Sequence, residues 1–413
     1  MVFENVFDEL KWRGFVEQVT DEDVLQKELS ERKLTGYIGF DPTADSLHIG
    51  SMVPLMALHH LQRHGHRAIA ILGGGTAMIG DPSGKTEMRQ MLSRETIIAN
   101  GEKIRRQIGI FVDFSDQKTK PLVLDNADWL LKLGYIDFLR DIGRHFSVNR
   151  MLAAEAYKIR METGLSFIEF NYQILQAYDF WVLFREYNCE LQMGGNDQWG
   201  NILAGTELIR RKEGSDAYGL TFPLMTTAGG QKMGKTASGA IWLDAERTTP
   251  YDFYQYWVNV DDRDVIRFMK LFTLLSPTDI AAYEVLSGSE LRKAKKRLAF
   301  EVTAFVHGKP AAEEAEKASE ALFGQGGEDT AVPETVLPQE EAEQGIPVPR
   351  LFAMSGLARS AGEARRLIRQ GGLYIDGKRV DDETRLISTM DFGDEGTLLL
   401  RSGKKRYHRI RLQ

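Results

Sequence analysis

The pattern of apolar and polar positions near the N-terminus predicts a β-α-β unit. Residues 36–40 form a short apolar run that is typical of a strand. Turn-forming residues follow, and "SMVPLMALHHLQRHG" then has apolar side chains at positions 52, 55, 58 and 61, which predicts a helix ending at Gly65. Residues 68–72 are all apolar, which indicates a strand buried on both faces of a parallel sheet. Such sheets bind ligands at the carboxyl ends of their strands, and "GGGTAMIGDPSG" occupies such an end.

The pattern beyond this unit is mostly helical. Residues 85–165 have mainly helical periodicity, and "FIEFNYQILQAYDFWVLFREY" has a strong apolar stripe at helical spacing. The stretch "CELQMGGNDQWGNILAGTELIRR" predicts a strand, a glycine-rich turn and a helix, and therefore a return to the sheet. From about residue 250 onward the pattern is helical only.

The C-terminal end of the chain has a different organisation. Residues 324–349 are rich in Gly, Pro and acidic residues without periodicity, which predicts a linker. After it, "SAGEARRLIRQGG" predicts a helix, "LYIDGKRV" contains an Asp-Gly turn, and "GTLLLRSGKKRYHRIRL" predicts a pair of strands. Together these signals divide the chain into a sheet-containing part at 1–228, a connecting loop at 229–247, a helical part at 248–323, the linker at 324–349 and a last module at 350–413.

Charge distribution changes the interpretation of that last module. The chain has a net charge of −7. Residues 311–349 carry ten acidic residues and one lysine, whereas residues 350–413 carry 14 Lys and Arg against 8 Asp and Glu. A basic module that follows an acidic connecting segment indicates a nucleic-acid partner. The helix predicted around 291–305 also has five basic residues between 292 and 297, and these either form a solvated face or face RNA.

Composition excludes several classes of protein. With 43% apolar and 27% charged residues in 413, the chain is expected to form about two to four globular domains. Its single cysteine, Cys189, excludes a disulfide framework and a cysteine-based zinc site, and favours a reducing cytoplasm. No apolar run is long enough for a membrane span, and the acidic N-terminus is unlike a signal peptide. Four histidines, at positions 59, 60, 64 and 66, are expected at the wet surface rather than at a metal.

The stretch "GGQKMGKT", residues 229–236, fits the phosphate-loop pattern G-x-x-x-x-G-K-[ST]. A phosphate loop needs a helix directly after it, because the helix N-terminus directs backbone N–H groups at the phosphates. The following "ASGAIWLDAERTTP" has no helical periodicity. The match is therefore interpreted as coincidental, and Lys232 and Lys235 need another explanation.

The explanation comes from "HIGS" at 48–51 and "KMGKT" at 232–236. These resemble the two signatures of class I aminoacyl-tRNA synthetases, usually HIGH and KMSKS. With "YIGFDPTADSLHIG", "GDPSGK", "NYQILQAYDF" and "LQMGGNDQWGN", nearly the whole chain resembles bacterial-type tyrosyl-tRNA synthetases. The resemblance implies an α/β fold, with a Rossmann-like parallel-sheet catalytic domain, then an α-helical domain and a small α+β RNA-binding domain.

The implied reaction joins tyrosine to tRNA in two steps. The tyrosine carboxylate attacks the α-phosphate of ATP, and tyrosine then passes from the adenylate to the 3′-terminal adenosine of tRNA(Tyr). No protein nucleophile is needed, because the enzyme holds two anions together and stabilises charge on the phosphates. By resemblance, the catalytic residues are His48, Ser51, Lys232, Lys235 and Thr236. Ser51 departs from the usual second histidine, and its own contact with ATP does not follow from the resemblance.

The resemblance also implies the binding residues. Tyr37 and Asp179 would meet the phenolic hydroxyl of tyrosine, whereas Asp81, Tyr172 and Gln176 would surround its ammonium group, with Gln192 nearby. A hydroxyl needs a donor and an acceptor, and an ammonium needs acceptors, so the residue types suit these roles. The residues implied for ATP are Asp41, Thr43, His48, Gly50, Gly195, Asp197, Gln198 and Lys235. Some relatives have a cysteine after the position of Tyr37, where this chain has Ile38, so a side-chain contact to ribose is lost there.

The implied partners are tyrosine, ATP and tRNA(Tyr), with Mg²⁺ carried by the nucleotide and no metal or prosthetic group held by the protein. Neither DNA nor a membrane is expected as a partner. The basic residues expected to contact tRNA are Arg210, Arg211, Arg365, Arg366, Arg369, Lys404 and Lys405. A homodimer is expected, and the apolar helical segment 128–155 is either its interface or part of the core. The alternatives are a tryptophanyl-tRNA synthetase, an RNA-binding protein with an inactive synthetase domain, and a P-loop NTPase.

Overall fold

The computed structural model describes residues 3–83, 92–153, 155–230, 233–236, 239–323, 333–393, 396–403 and 406–412. The chain divides into two compact units, Met1–Glu313 and Glu314–Gln413. The boundary falls inside a helix, so the division of residues 1–323 into three parts expected from the sequence remains a prediction.

The first unit is built on a six-stranded sheet. Its strands follow the order β1-β6-β5-β2-β3-β4, and all neighbours are parallel except β1 and β6. The bounds are β1 Gln18–Val19, β2 Thr35–Phe40, β3 Arg67–Leu72, β4 Leu122–Asp125, β5 Cys189–Gly195 and β6 Tyr218–Phe222. A separate hairpin pairs β7 Lys235–Thr236 with β8 Gly239–Ala240. This parallel core confirms the predicted α/β class.

Helices surround the sheet and continue beyond it. They are α1 Val6–Arg13, α2 Glu22–Glu31, α3 Met52–Arg63, α4 Arg94–Phe111, α5 Ala127–Leu130, α6 Tyr135–Asp141, α7 Val148–Leu152, α8 Glu155–Thr163, α9 Phe167–Tyr187, α10 Trp199–Glu213, α11 Pro250–Val258, α12 Val265–Phe272, α13 Pro277–Glu284, α14 Leu291–His307 and α15 Lys309–Phe323. The predicted unit of strand, helix and strand is confirmed as β2-α3-β3, with β2 and β3 paired in parallel. The helical pattern after residue 250 is confirmed by α11 to α15.

Helix α9 shows how local sequence sets the position of the site. Ser166 and Glu169 form a capping box at its start, and Arg160 pairs with Glu169 at 3.0 Å. Asn188 ends the helix in the left-handed conformation, with φ of 53°. The helix is therefore held at both ends, and its side chains at spacings of four and three residues face the same way.

One sequence interpretation is extended in this unit and another is corrected. The mostly helical pattern of residues 85–165 is confirmed by α4 to α8, but the region also contributes β4, which the pattern does not predict and which pairs with β3 along four residues. Such a short apolar run between helices carries too little periodicity to be distinguished from its neighbours. The four histidines are not a wet surface, since His60 and His66 are buried and His59 is partly buried. His60 and His64 lie against the carboxylate of Glu9 and connect α3 to α1.

The second unit is an α+β fold around its own apolar core. Its sheet has the order β12-β11-β14-β15-β9, and the short strands β10 and β13 form a separate pair. The bounds are β9 Glu334–Leu337, α16 Gln339–Glu343, β10 Ile346–Pro347, α17 Val348–Met354, α18 Ala361–Arg369, β11 Leu373–Ile375, β12 Lys378–Arg379, β13 Leu386–Ile387, β14 Thr397–Ser402 and β15 Arg406–Leu412. The predicted Asp-Gly turn is confirmed between β11 and β12, because Asp376 and Gly377 both have positive φ, 47° and 75°. The predicted strand pair is confirmed as β14 and β15.

The linker prediction is wrong for its second half. Residues 333–349 belong to the folded second unit: β9 pairs in parallel with β15, and Leu337, Ala342 and Ile346 are buried in its core. Their apolar side chains are spaced irregularly among acids and prolines, so only the tertiary packing reveals their burial. Residues 324–332 lie outside the described part of the chain.

Candidate active site

The predicted tyrosine and ATP residues line one cavity of about 480 Å³. It lies where β2, β3 and β5 end and where α3 begins, the expected edge of a parallel sheet. The predicted residues that line it are Tyr37, Asp41, Thr43, His48, Gly50, Ser51, Asp81, Tyr172, Gln176, Asp179, Gln192, Gly195, Asp197 and Gln198. Lys235 and Thr236 form β7, and Lys232 lies outside the described residues.

One end of the cavity holds Tyr37 and Asp179. Asp179 accepts hydrogen bonds from Trp129 Nε1 at 2.6 Å and from Asn126 Nδ2 at 2.9 Å. Burial raises the pKa of the Asp179 carboxyl to about 7, although these two hydrogen bonds oppose the shift. The Tyr37 hydroxyl is buried and has no hydrogen-bond partner within the described structure. This end of the cavity therefore contains the Tyr37 hydroxyl, which lacks a hydrogen-bond partner among the described residues, and the Asp179 carboxyl group, which Asn126 and Trp129 hold in place.

A second polar cluster surrounds Asp81. Its carboxylate accepts from Gln198 Nε2 at 2.7 Å and from the Ser83 backbone N–H at 2.9 Å. Asn201 continues the network, donating to Gln176 Oε1 at 3.0 Å. Burial, and after it the neighbouring Asp41, raise the pKa of Asp81 to about 6. The resemblance assigns Gln198 to the ATP site. In the structure its side-chain amide instead donates a hydrogen bond to Asp81, which the resemblance assigns to binding the substrate tyrosine.

Asp41 connects the two clusters. It accepts from the Tyr172 hydroxyl at 3.0 Å and from Thr76 Oγ1 at 2.9 Å. Thr76 Oγ1 in turn accepts from Asn126 Nδ2 at 3.0 Å, so Asp41 and Asp179 share one hydrogen-bonded chain. The carboxylates Asp41, Asp81 and Asp179 make this a negatively charged cavity, suited to an ammonium group.

The two signature segments touch, although about 180 residues separate them in sequence. The imidazole Nδ1 of His48 accepts from the Gly50 backbone N–H at 3.0 Å. A Cβ placed on Gly234, whose φ is 86°, would lie 3.4 Å from His48 Nδ1. The backbone of Ile49 donates to Ile241 at 3.0 Å, just beyond the hairpin. The segment "KMGKT" therefore ends in a β-hairpin packed on "HIGS", and a phosphate loop is excluded because the next described element is the strand β8 rather than a helix.

Sequence reasoning missed Asn126, Trp129, Thr76 and Asn201. Asn126 directly follows β4, the strand that the sequence pattern does not predict, and Trp129 lies in α5 just after it. Recognising "LVLD" as a strand would have placed both residues at the carboxyl edge of the sheet, beside the other candidates. Thr76 and Asn201 act through other side chains, and no sequence signal distinguishes them.

The predicted tRNA residues are distributed over both units. Arg210 and Arg211 on α10 pair with Glu207 at 2.9 Å and 2.7 Å. In the second unit Arg366 pairs with Glu363 and Arg369 pairs with Glu383, whereas Arg365 is exposed. Lys404 and Lys405 lie outside the described residues.

A second cavity, of about 640 Å³, lies beyond Asn196 and Asp197 and is larger than the first. Its other lining residues include Phe146, Met151 and Leu203, and it contains neither Asp81 nor Asp179. The smaller cavity is the better candidate, because buried acids with raised pKa values converge there.

Comparisons with families and curated proteins agree over the whole chain. Residues 29–324 match the family described as tRNA synthetases class I (W and Y), and residues 328–410 match a tyrosine–tRNA ligase SYY-like C-terminal domain. A tyrosine–tRNA ligase of Acetivibrio thermocellus is 52% identical over 408 residues, covering 99% of both chains. Another, from Syntrophus aciditrophicus, is 53% identical over 431 residues and covers all of both chains.

Solved structures agree with these matches. A C-terminally truncated mitochondrial tyrosyl-tRNA synthetase of Aspergillus nidulans superposes with a TM-score of 0.71 at 30% identity, covering 78% of this chain and 95% of that one. A tryptophanyl-tRNA synthetase of Encephalitozoon cuniculi, bound to tryptophan, has a TM-score of 0.56 at 14% identity, covering 75% of this chain and 87% of that one. The second likeness concerns the fold alone.

Proposed function

We propose that this chain, which belongs to the class I tRNA synthetases of the tryptophan and tyrosine family, activates tyrosine with ATP and transfers it to tRNA(Tyr). The observation that carries the choice of tyrosine is the buried Tyr37 hydroxyl without a partner, at the same end of the cavity as Asp179. A buried polar group without a partner is costly, so a ligand hydroxyl that supplies the missing hydrogen bond is favoured.

At the phenolic end, Tyr37 and Asp179 act together. The Tyr37 hydroxyl donates to the ligand oxygen, and Asp179 accepts the ligand proton. Asn126 and Trp129 occupy one lone pair on each Asp179 oxygen, which orients the carboxylate and leaves acceptor capacity for the ligand. Phenylalanine would leave both groups unsatisfied, and the indole N–H of tryptophan could donate but not accept.

At the other end, Asp81 binds the α-ammonium of the substrate, with Tyr172 and Gln176 beside it. Gln198 and Ser83 hold the Asp81 carboxylate, and Asn201 holds the Gln176 amide. The incoming positive charge stabilises the ionised form of Asp81, whose burial otherwise disfavours ionisation.

The phosphates of ATP bind where the two signatures meet. His48 and the backbone at Gly50 lie on one side, and the segment containing Lys235 lies on the other. His48, donating through Nε2 because its Nδ1 accepts from Gly50, and Lys235 stabilise the charge that develops as pyrophosphate leaves, and the tyrosine carboxylate is itself the nucleophile. Mg²⁺ would enter with the nucleotide, whose phosphates it neutralises.

Tyrosine-dependent exchange of pyrophosphate into ATP tests this proposal. We expect exchange with tyrosine and little with phenylalanine or tryptophan. Equal exchange with tryptophan would favour the tryptophanyl alternative, and ATP hydrolysis without any amino acid would favour an NTPase. RNA binding without exchange would indicate an inactive synthetase domain, and each of these three results contradicts the proposal.

We further propose that the second unit binds tRNA. It carries exposed Arg365 and the partly exposed Arg401 and Arg409. Residues 350–413 have a net charge of +6, whereas the whole unit carries 15 Lys and Arg against 17 Asp and Glu, so the positive charge is confined to this last part. Phosphate contacts by such side chains release counterions, so tRNA binding should weaken steeply with added salt.

We also propose that the chain acts as a homodimer. Helices α6, α7 and α9 expose apolar side chains, and Tyr135, Ile136, Val148 and Phe167 are each at least 57% exposed. An exposed apolar face of this kind is typical of a protein interface. Sedimentation or light scattering should give twice the chain mass of 46.7 kDa, and a value of 46.7 kDa would contradict the dimer.

A further inference from the structure

The segment between β6 and "KMGKT" is held from one side by a buried carboxylate. Asp264 is only 3% exposed, and its Oδ2 accepts the backbone N–H of Ala228 at 2.7 Å. Its Oδ1 accepts from Arg267 at 2.8 Å, and Arg267 also donates to the carbonyl oxygen of Thr226. Two side chains of the helical part thus bind the backbone just before the signature segment.

The position of Asp264 in its own helix makes this arrangement unusual. Asp264 is the N-cap residue of α12, where an aspartate ordinarily accepts a backbone N–H of its own first turn. Here the carboxylate makes no such cap and accepts hydrogen bonds from Ala228 and Arg267 instead. Asp264 thus binds the 226–228 segment in place of capping its own helix.

A second contact holds the other side of the signature segment. The Gly234 backbone hydrogen-bonds the hydroxyl of Tyr256 on α11, and burial raises the pKa of Tyr256 to about 12. Met233 donates its backbone N–H to Met225 at 2.9 Å. The helical part therefore contacts this segment on both sides of residues 229–232, and Gly234 lies against His48.

We propose that Asp264 is a positioning residue for tyrosine activation, acting through the backbone of Thr226 to Ala228. By holding this stretch in place, Asp264 and Arg267 set where the segment containing Lys235 meets the "HIGS" turn. This inference rests on the proposed function, because it assumes that the segment binds the phosphates of ATP. A displacement of about 1 Å in such a group is enough to slow a reaction about a hundredfold.

Two substitutions of Asp264 test the inference. Asp264→Asn keeps the shape but places an amide against Arg267, and Asp264→Ala removes both bonds. We expect the rate of tyrosyl-adenylate formation to fall about tenfold to a hundredfold. Tyrosine affinity without ATP should stay within about twofold, because the cavity around Asp81 and Asp179 does not include Asp264.

The matched control is Asp261→Asn, in the same turn. Asp261 is exposed, and its side chain accepts only from Arg263 among the hydrogen bonds described, so this variant should form adenylate at the parent rate. If Asp264→Ala does not fold, Arg267→Met removes the bond to Thr226 from a side chain that is 44% exposed, and the same loss of rate is expected.

The outcomes separate this inference from the proposed function. If the parent protein shows no tyrosine-dependent exchange, the proposed function fails. If the parent is active, the Asp264 and Arg267 variants should form adenylate more slowly. The positioning role is overturned if their adenylate rates stay within twofold of the parent rate, even where the melting temperature falls. A parallel loss of tyrosine affinity and rate would also overturn it, since it would indicate general damage to the cavity.

Discussion

The two units of the chain place their charged side chains in opposite environments. In the first unit, Asp81 and Asp179 are at most 9% exposed, and burial raises their pKa values to about 6 and 7. The second unit has a core cluster of apolar residues, and arginines such as Arg365, Arg366 and Arg369 lie at its surface. The first arrangement suits selection of one small molecule by a few groups, and the second suits attraction of a polyanion by many. Changes to single residues should therefore have large effects in the first unit and small, salt-sensitive effects in the second.

Removing the second unit should give the largest effect and separate the two half-reactions. A chain ending at Phe323 keeps the whole of α15 and loses the exposed basic surface of residues 350–413. We expect charging of tRNA to fall about a thousandfold, because several phosphate contacts are lost together. Pyrophosphate exchange should change less than about twofold, since the site lies entirely in the first unit.

Parallel assays of charging and exchange measure this difference. A salt series provides the control, because the intact chain should lose tRNA affinity steeply with salt and the shortened chain should show a shallower slope. Equal losses in both half-reactions, with a lower melting temperature, would mean that the second unit stabilises the first rather than binding RNA.

Lys235→Ala should produce the largest effect of a single substitution in the first unit. Loss of a cation that stabilises the leaving phosphates costs about 2–4 kcal/mol of transition-state stabilisation. Stopped-flow measurement of adenylate formation should show this as a lower rate, whereas tyrosine binding without ATP should be unaffected. A fall in tyrosine affinity with an unchanged rate would remove Lys235 from the ATP site.

Tyr37→Phe and Asp179→Ala should weaken the preference for tyrosine over phenylalanine. Each removes one of the two groups expected at the substrate hydroxyl, and a lost buried hydrogen bond costs about 1–3 kcal/mol. The ratio of kcat/KM for the two amino acids measures the change. Discrimination equal to that of the parent in both variants would show that the phenolic hydroxyl binds elsewhere.

The smallest effect concerns pH. Burial raises the pKa of Asp81 to about 6, so Asp81 is mainly neutral at pH 5 and ionised at pH 8. If only the ionised form binds the ammonium, tyrosine affinity should be about tenfold lower at pH 5 than at pH 8. Lowering the pH has the opposite effect on the stability of the protein. Because the pKa of Asp81 is higher in the folded protein than its ordinary value, its protonation below about pH 6 increases the free energy of unfolding.

Calorimetric titration of tyrosine across this range tests the assignment, with Asp81→Asn as the control. The variant should bind weakly and with little dependence on pH. A dependence that persists in Asp81→Asn would belong instead to Asp179, whose pKa is about 7.

Local sequence was sufficient for much of the fold. The β2-α3-β3 unit, α9 and the β14-β15 pair follow from periodicity, capping and turn residues, because these depend on neighbours a few positions apart. The same local rules failed for β4 and for residues 333–349, where short apolar stretches become buried only through pairing with distant strands.

By itself, the sequence determined the identity of the chemical groups: the two signatures, the carboxylates and the basic C-terminal module. Tertiary structure alone decided which of them meet and in what state. It placed Asn126 and Trp129 where both donate hydrogen bonds to Asp179, and it buried His60 against Glu9. It also brought Gly234 so close to His48 that a Cβ added to Gly234 would lie 3.4 Å from His48 Nδ1. The reason is physical: a residue type specifies donors, acceptors and charge, whereas desolvation and contacts between distant segments arise only when the chain packs.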